Sequence, residues 1–254
     1  MMANPTIDKL VAIGCSAMAA ALAEQLATPG AWMELAFEDR LGLLVDKETD
    51  ARDSRALARR LKAAKLRYPA AVEDIDFRSP RGLDRPTILS LAGSGWVAHH
   101  HNLILTGATG CGKSYIACAL ANAAIRAGHS VIYLRAPRLA DELALGRADG
   151  RYARTLANLA RLQLLVLDDF LLTPAPIDVC RDLLEVIEDR AGRRATLVAS
   201  QLPPDKWLPA MADPTLAEAV VDRLLACSHR IVMKGPSMRK RQPETTDPHP
   251  HSDT

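Results

Sequence analysis

The spacing of apolar residues divides the chain into two regions. Over residues 1–68, apolar side chains recur at the spacing of one helix face, first as Leu10, Met18, Leu22 and Leu26. A Thr-Pro-Gly break at 28–30 interrupts this pattern, which resumes at Phe37. Because no stretch of the region alternates as a strand does, the pattern predicts a small all-helical N-terminal domain.

From residue 102 onward, short apolar runs alternate with longer helical stretches. The runs are rich in Val, Ile and Leu, are too short for buried helices, and lie at 102–106, 130–135, 163–168, 195–200 and 229–233. Helical patterns fill the intervals, most clearly at 114–127 and 179–189. This alternation predicts an α/β fold with a five-stranded parallel sheet.

Proline and glycine mark the predicted domain boundary. Pro69, Pro80, Gly82 and Pro86 stand among mixed charges, a composition typical of an extended connector. The C-terminal end is polar and has no apolar period. We therefore predict a helical domain at 1–68, a connector at 69–90, an α/β domain at 91–241 and a disordered tail at 242–254.

Composition limits the class of protein. With 48% hydrophobic and 24% charged residues the chain can bury a core, which excludes disordered and collagen-like proteins. The net charge of +2 gives no global sign of a polyanionic partner. Five cysteines without a CxxC pair argue against a disulfide framework and a zinc site, and favour the reducing cytoplasm.

An apolar run at 10–23 is similar to the core of a signal peptide. However, Asp8 and Lys9 before it do not form a basic flank, and the run continues at helical spacing into the polar Glu24. The run is also too short to span a bilayer. We expect an amphipathic helix and no membrane association.

A glycine-rich loop follows the first predicted strand and precedes a predicted helix. Closely spaced glycines let successive backbone N–H groups point at phosphate oxygens, and the helix adds the positive end of its dipole. Lys113 is expected to reach the β- and γ-phosphates, and Ser114 to ligate Mg²⁺. This P-loop predicts an ATP site at Gly107, Ala108, Thr109, Gly110, Cys111, Gly112, Lys113, Ser114 and Tyr115.

Two acids end the third predicted strand. Asp168 is the predicted partner of Mg²⁺, and Asp169 is the predicted base that polarises the attacking water. A second acid suits a hydrolase, because a small-molecule kinase has to keep water out. Asp169 is one methylene shorter than the Glu often found there, so we expect slow turnover.

Several polar residues near these motifs have more than one interpretation. Ser200 and Gln201 end the fourth predicted strand, where they can sense the γ-phosphate or simply terminate a strand. The Cys111 thiol is open to oxidation if exposed, but we expect it to face away from phosphate. His99, His100 and His101 are consecutive and point in different directions, which favours a solvated turn over a metal site.

Motifs outside the nucleotide site carry a family resemblance over roughly residues 8–241. They lie at 60–65, 74–77, 81–84, 150–153, 165–169, 200–203, 213–217 and 222–224. Together with the P-loop they resemble the IstB-type transposition helper ATPases, a branch of the AAA+ superfamily close to the DnaC-type helicase loaders.

The resemblance implies an ATPase that assembles as a homo-oligomer on double-stranded DNA and directs a partner transposase to its target. It implies a sensor position at Ser200 and Gln201, and an arginine finger at Arg223 that enters the next subunit's site. Such a finger is worth about 10³–10⁵ in rate, so oligomerisation and DNA should stimulate hydrolysis. The predicted catalytic residues are Lys113, Asp169 and Arg223.

Basic residues suggest where DNA binds. Residues 52–67 hold seven Lys and Arg against one acid, and four of the seven share one helix side: Arg52, Arg55, Arg59 and Lys62. A second group is Arg147, Arg151 and Arg154, and a third lies at 239–241. The alternative interpretation of each group is a basic surface that contacts only solvent. None contains a base-reading motif, so we predict binding without sequence specificity.

Three other functions remain open. A DnaC-like helicase loader has the same fold but acts in replication on single-stranded DNA. A phosphotransferase needs an arginine-rich lid and an acceptor pocket, and the chain shows neither pattern. A binding module can keep nucleotide as a structural ligand only.

Overall fold

The computed structural model describes residues 4–238. The chain divides into two compact units, residues 1–62 and 63–254. The predicted connector at 69–90 therefore belongs to the second unit instead of lying between two domains. Its apolar side chains explain the difference, because Ala70, Val72, Ile75 and Ile88 are buried. The predicted tail at 242–254 and the basic group at 239–241 lie outside the described residues.

The first unit is helical, as predicted. It contains α1 (Pro5–Ala12), α2 (Ser16–Ala27), a 3₁₀ turn at Pro29–Trp32, and most of α3 (Phe37–Ala64). The start of α1 follows from its sequence: the Asn4 side chain accepts a hydrogen bond from the Thr6 N–H at 3.0 Å, and Pro5 occupies the first turn. The apolar run at 10–23 is divided between α1 and α2.

Glu48 connects two helices of this unit. Its side chain is almost fully buried and accepts the backbone N–H groups of Ala17 at 3.0 Å and Met18 at 3.2 Å, in the first turn of α2. Arg52 donates to the same carboxylate from the next turn of α3 at 2.8 Å. The Arg52 hydrogen bond, with these backbone donors, lowers the pKa of Glu48 below its usual value.

The second unit contains a five-stranded parallel sheet in the order β2-β3-β4-β1-β5. The strands are β1 (Asn102–Gly107), β2 (Val131–Arg135), β3 (Leu164–Phe170), β4 (Ala195–Ser200) and β5 (Ser228–Met233). The helices are α4 (Arg85–Ala92), α5 (Gly95–Ala98), α6 (Lys113–Arg126), α7 (Ala136–Asp149), α8 (Tyr152–Arg161), α9 (Ile177–Arg190) and α10 (Pro214–Leu225). Short 3₁₀ turns lie at Val72–Asp74, Pro204–Lys206 and Leu208–Ala210.

The predicted five-stranded parallel sheet is confirmed. Helices usually cover both faces of a parallel sheet, so its central strands form continuous apolar runs in the sequence. The strand β4, for example, is buried throughout. The strand β3 continues to Phe170, so Asp168 and Asp169 lie within the strand, close to its carboxyl end. Since β1, β3 and β4 are neighbours, the segments at their carboxyl ends meet at one edge of the sheet.

Asn102 fixes the opposite end of β1. Its side-chain amide donates to the carbonyls of Arg223 and Leu224, both at 3.1 Å, and its Oδ1 accepts the Thr196 N–H at 2.9 Å. One buried side chain thus connects β1, β4 and the end of α10. Within residues 4–238, no helix combines the length and apolarity that a bilayer crossing requires.

Candidate nucleotide-binding site

The glycine-rich loop joins β1 to α6. Three of its glycines have positive φ angles: 150° at Gly107, 85° at Gly110 and 100° at Gly112. A Cβ atom at Gly107 would collide with the Met233 carbonyl, and one at Gly112 would lie 2.8 Å from a guanidinium nitrogen of Arg81. The loop therefore needs glycine for its conformation and for its close neighbours.

Lys113 begins α6 and lies against the loop. Its side-chain Nζ donates to the carbonyls of Gly107 at 2.8 Å and Ala108 at 2.9 Å, and the residue is buried. Two loop carbonyls thus hold the cation beside the N-terminus of a helix, and both the cation and the helix dipole favour a phosphate group there.

A cavity of about 330 Å³ opens beside this loop. The residues of the predicted site that line this cavity are Thr109, Gly110, Gly112, Lys113, Ser114, Tyr115, Asp169 and Gln201. It is also lined by Tyr68, Asp74, Asp76, Arg81 and Met238, none of which we predicted. The volume lies within the usual range for small-molecule sites, about 300–1,000 Å³.

The cavity-lining residues that we did not predict come mainly from the segment at 69–90, which was expected to be a connector. Arg81 is buried, and its Nη2 donates to the Asp76 carbonyl while its Nη1 lies 3.5 Å from the Cys111 carbonyl. The rings of Tyr68 and Tyr115 lie 6.4 Å apart. The motifs at 74–77 and 81–84 were a signal for these residues, but no local pattern assigns them to a cavity.

Asp168 is held firmly at the end of β3. It is buried, its Oδ1 accepts the Asp169 N–H at 2.9 Å, and its Oδ2 accepts the hydroxyl of Tyr133. Burial and this hydrogen bond raise the pKa of Tyr133, which keeps the hydroxyl a donor. Arg67 Nη1 lies 3.9 Å from a carboxylate oxygen of both Asp168 and Asp169.

Asp169 differs from Asp168 in exposure and partners. It lines the cavity, has a φ of 55°, and its Oδ2 lies 2.7 Å from Nε of Arg135. A positive φ is uncommon for a residue with a side chain, although Asp tolerates it better than most. The two neighbouring acids therefore face different groups: Asp168 faces Tyr133, and Asp169 faces Arg135 and the cavity.

The two residues at the end of β4 also differ. Gln201 lines the cavity, and its Oε1 accepts the Thr109 hydroxyl at 2.7 Å, which connects it to the glycine-rich loop. Ser200 is fully buried, donates to the Phe170 carbonyl at 2.8 Å and accepts the Leu202 N–H at 3.1 Å. A contact of Ser200 with nucleotide stays a prediction; in this structure its hydroxyl connects β3 to the turn after β4.

The Cys111 side chain is fully buried and does not line the cavity. This burial removes the thiol from solvent, so oxidation from solution is disfavoured. Gly107 and Ala108 likewise contribute to the loop through their backbones instead of lining the cavity.

Arg223 lies on α10, outside the cavity of its own chain. Its Nε pairs with Glu188 of α9, and its Nη1 donates to the Ala219 carbonyl at 2.9 Å. A role in another subunit's site would require the guanidinium to leave Glu188.

The predicted DNA-binding arginines are not equally available. Arg147 pairs with the buried Asp182, and its guanidinium lies over the Tyr152 ring at 4.4 Å from the centroid. Arg147 stays a predicted DNA contact, although together with the Tyr152 hydroxyl it already satisfies a buried carboxylate. Arg151 pairs with Asp149, whereas Arg154 is exposed.

On α3, Arg52 and Arg55 both pair with Glu48 but keep more than half of their side-chain surface exposed. Arg59 and Lys62 are exposed. This side of α3 thus remains open to a polyanion.

The three consecutive histidines were considered as a metal site. No cluster of side chains suited to a metal ion occurs within residues 4–238. The ring of His101 lies 5.6 Å from the ring of His229.

A family model described as IstB-like ATP binding protein matches residues 8–246. The chain belongs to this family. The family accounts for the P-loop and for the motifs outside it, and the predicted resemblance is confirmed.

One relative in the family is an insertion sequence ATP-binding protein of Sinorhizobium fredii. It is 47% identical over 242 residues, which cover 95% of this chain and 98% of the relative. The match therefore includes both units, and the chain is a member of an ATPase family across nearly its whole length.

Solved structures with the AAA+ P-loop fold are similar to this chain. AMPPCP-bound DnaA from Aquifex aeolicus matches with a TM-score of 0.55 and 18% identity, over 66% of this chain and 51% of that chain. The DnaC helicase loader matches with a TM-score of 0.52 and 19% identity, over 67% of this chain and all of that chain. At such low identity the likeness concerns the fold alone.

Proposed function

We propose that this protein is an ATP-dependent, DNA-binding AAA+ oligomer that regulates a partner transposase and helps select target DNA. The observation that carries the proposal is one cavity that brings together the glycine-rich loop, Lys113, Asp169 and Gln201 in a member of the IstB-like family. Names of the relatives connect the family to insertion sequences and to ATP binding. Such a role belongs in the cytoplasm.

Within this proposal, the loop and Lys113 bind the phosphates of ATP. Lys113 already lies at the helix N-terminus with its Nζ on two loop carbonyls, so it needs only a short movement toward a phosphate. Tyr68, Tyr115 and Met238 line the same cavity and offer two aromatic rings and a thioether to a nucleobase.

The donor set fits Mg²⁺, which prefers oxygen ligands. Ser114 supplies a hydroxyl and Asp168 a buried carboxylate, and these residues would hold the ion. Bound there, Mg²⁺ would neutralise charge on the phosphates. Asp169 would orient and deprotonate the attacking water, and Gln201 would respond to the γ-phosphate through its contact with Thr109.

Arg223 supplies the remaining positive charge from a neighbouring subunit. In its own chain it is paired with Glu188 and lies outside the cavity, so a single chain lacks this group at its site. Hydrolysis would then depend on assembly, and DNA that promotes assembly would stimulate it.

Electron microscopy of the full chain with ATP and duplex DNA tests assembly. Ordered oligomers are expected with wild type and Asp169→Asn, and few with Lys113→Ala, which should lose nucleotide. A strict monomer in every condition would exclude the mechanism through Arg223. Transposition assays with the transposase encoded beside the gene then test regulation.

The helicase loader is the alternative function, because the DnaC helicase loader shares the fold. The two functions differ in the preferred nucleic acid. Tighter binding to duplex than to single strands of equal length supports the transposition role, and the reverse preference supports loading.

A further inference from the structure

A basic groove lies on the second unit away from the nucleotide cavity. It is lined by His100, Ala157, Ala160, Arg161, Asp189, Gly192, Arg193 and Arg194. These residues come from the end of α8, the end of α9 and the turn before β4, and from the segment before β1. All of them precede strands, whereas the nucleotide cavity lies at the strands' carboxyl ends.

The charges of this groove are largely unpaired. Three arginines face one acid, Asp189. Within the part of the chain that the structure describes, neither Arg161 nor Arg193 forms an ion pair. Arg194 donates through Nη1 to the Arg193 carbonyl, but its Nε is buried without a hydrogen-bond partner among residues 4–238. A buried unpaired donor is costly unless a ligand or water satisfies it.

The groove continues a basic line along α8. Arg154 and Arg161 are both exposed and are seven residues apart, which places them on the same helix face about 10 Å apart. Arg154 is the member of its predicted group that forms no ion pair within the described chain. The line therefore leads from Arg154 through Arg161 to Arg193.

We propose that this groove binds the phosphate backbone of duplex DNA. This inference rests on the proposed function and gives its DNA contact a second location besides α3. The rest of the lining is small: Ala157, Ala160 and Gly192 let a backbone approach closely but offer no pocket for an anchoring apolar side chain. Peptide interfaces usually bury such anchors, whereas phosphate contacts require mainly arginine and lysine.

The test compares two charge-matched double variants of the full chain. Arg161→Gln with Arg193→Gln removes two exposed groove charges. Arg138→Gln with Arg181→Gln removes two exposed arginines that lie outside the groove on α7 and α9. Duplex affinity is measured by fluorescence anisotropy over a range of salt concentrations, with nucleotide affinity and melting temperature as checks on folding.

The groove variant is expected to bind duplex more weakly and to reduce the slope of log affinity against log salt by up to about 1.8, about 0.9 for each lost phosphate contact. The control variant should keep the wild-type slope. Equal slopes for the groove variant and wild type, or equal losses in both variants, would overturn the proposal. Loss of binding to poly-glutamate with unchanged duplex binding would also overturn it and indicate an acidic protein partner. No duplex binding by wild type would instead reject the proposed function itself.

Discussion

Arg135 and Asp169 form an ion pair across neighbouring strands, with Nε and Oδ2 separated by 2.7 Å. The register that pairs Arg135 with Asp168 brings this arginine to the end of β3. The proposed base is therefore engaged by a cation of its own chain and must leave that cation to reach a water molecule.

Replacing Arg135 should release Asp169. Arg135 is half exposed, and exposed ion pairs contribute up to about 1 kcal/mol, so Arg135→Gln should raise DNA-free ATP hydrolysis up to about fivefold. Steady-state phosphate release measures this rate. Arg138→Gln, which breaks a pair with Glu142 on α7, is the control and should leave the rate unchanged. Slower turnover in Arg135→Gln at unchanged nucleotide affinity would show that Arg135 assists the reaction.

Mixing variants tests whether Arg223 acts between subunits. Arg223→Gln and Asp169→Asn should each lower hydrolysis by about 10³-fold or more while keeping nucleotide affinity. In mixed oligomers an Arg223→Gln subunit keeps Asp169 and can receive Arg223 from its Asp169→Asn neighbour, so part of the activity should return. Mixing Arg223→Gln with the double variant should restore nothing. Failure to recover activity in co-assembled mixtures would refute the exchange.

The segment after β5 contacts the phosphate-binding loop. The Met238 N–H donates to the Gly110 carbonyl at 2.9 Å, and Met238 lines the cavity. Met238→Pro removes this donor, and a hydrogen bond contributes about 0.5–1.5 kcal/mol, so nucleotide should dissociate about two- to tenfold faster.

Stopped-flow displacement of a fluorescent nucleotide measures that rate. Met238→Ala keeps the N–H and isolates the side chain. If Met238→Ala releases nucleotide as fast as Met238→Pro, the side chain and not the backbone hydrogen bond retains it.

Glu48 should make the first unit sensitive to acid. Its pKa is below the usual 4.5 in the folded chain, so the ionised group stabilises the fold fully above pH 4.5 and loses this contribution as the pH falls through the lowered value. Glu48→Gln should unfold at lower temperature than wild type at pH 7, and this difference should shrink below pH 4.5. Thermal unfolding followed by circular dichroism measures it, with Asp53→Asn on α3 as the control. A difference that is independent of pH would reject the role of the charge.

Local patterns predicted the elements and half of the site. The five apolar runs are short and rich in Val, Ile and Leu, which is typical of strands in a parallel sheet, and the loop from Gly107 to Ser114 depends on glycine at fixed positions. Both properties are local to a few residues, so they can be recognised without a partner segment.

Long-range packing decided the remainder. Ser200 and Arg147 have suitable chemistry for their predicted roles, and the structure adds that a buried carbonyl and a buried carboxylate from distant segments engage them. No local pattern records such partners, because they depend on which segments meet after folding.

The sequence by itself determined the family, through motifs spread over most of the chain. It also determined the parallel sheet and the residues able to bind phosphate, since these follow from patterns along short stretches of chain. Only the tertiary structure decided that Tyr68, Asp74 and Arg81 face that loop, that Asp169 is paired with Arg135, and that Arg223 lies outside its own cavity. The physical reason is that a cavity and its charges arise from contacts between segments far apart in the chain, and burial then selects which polar groups must find partners within the fold.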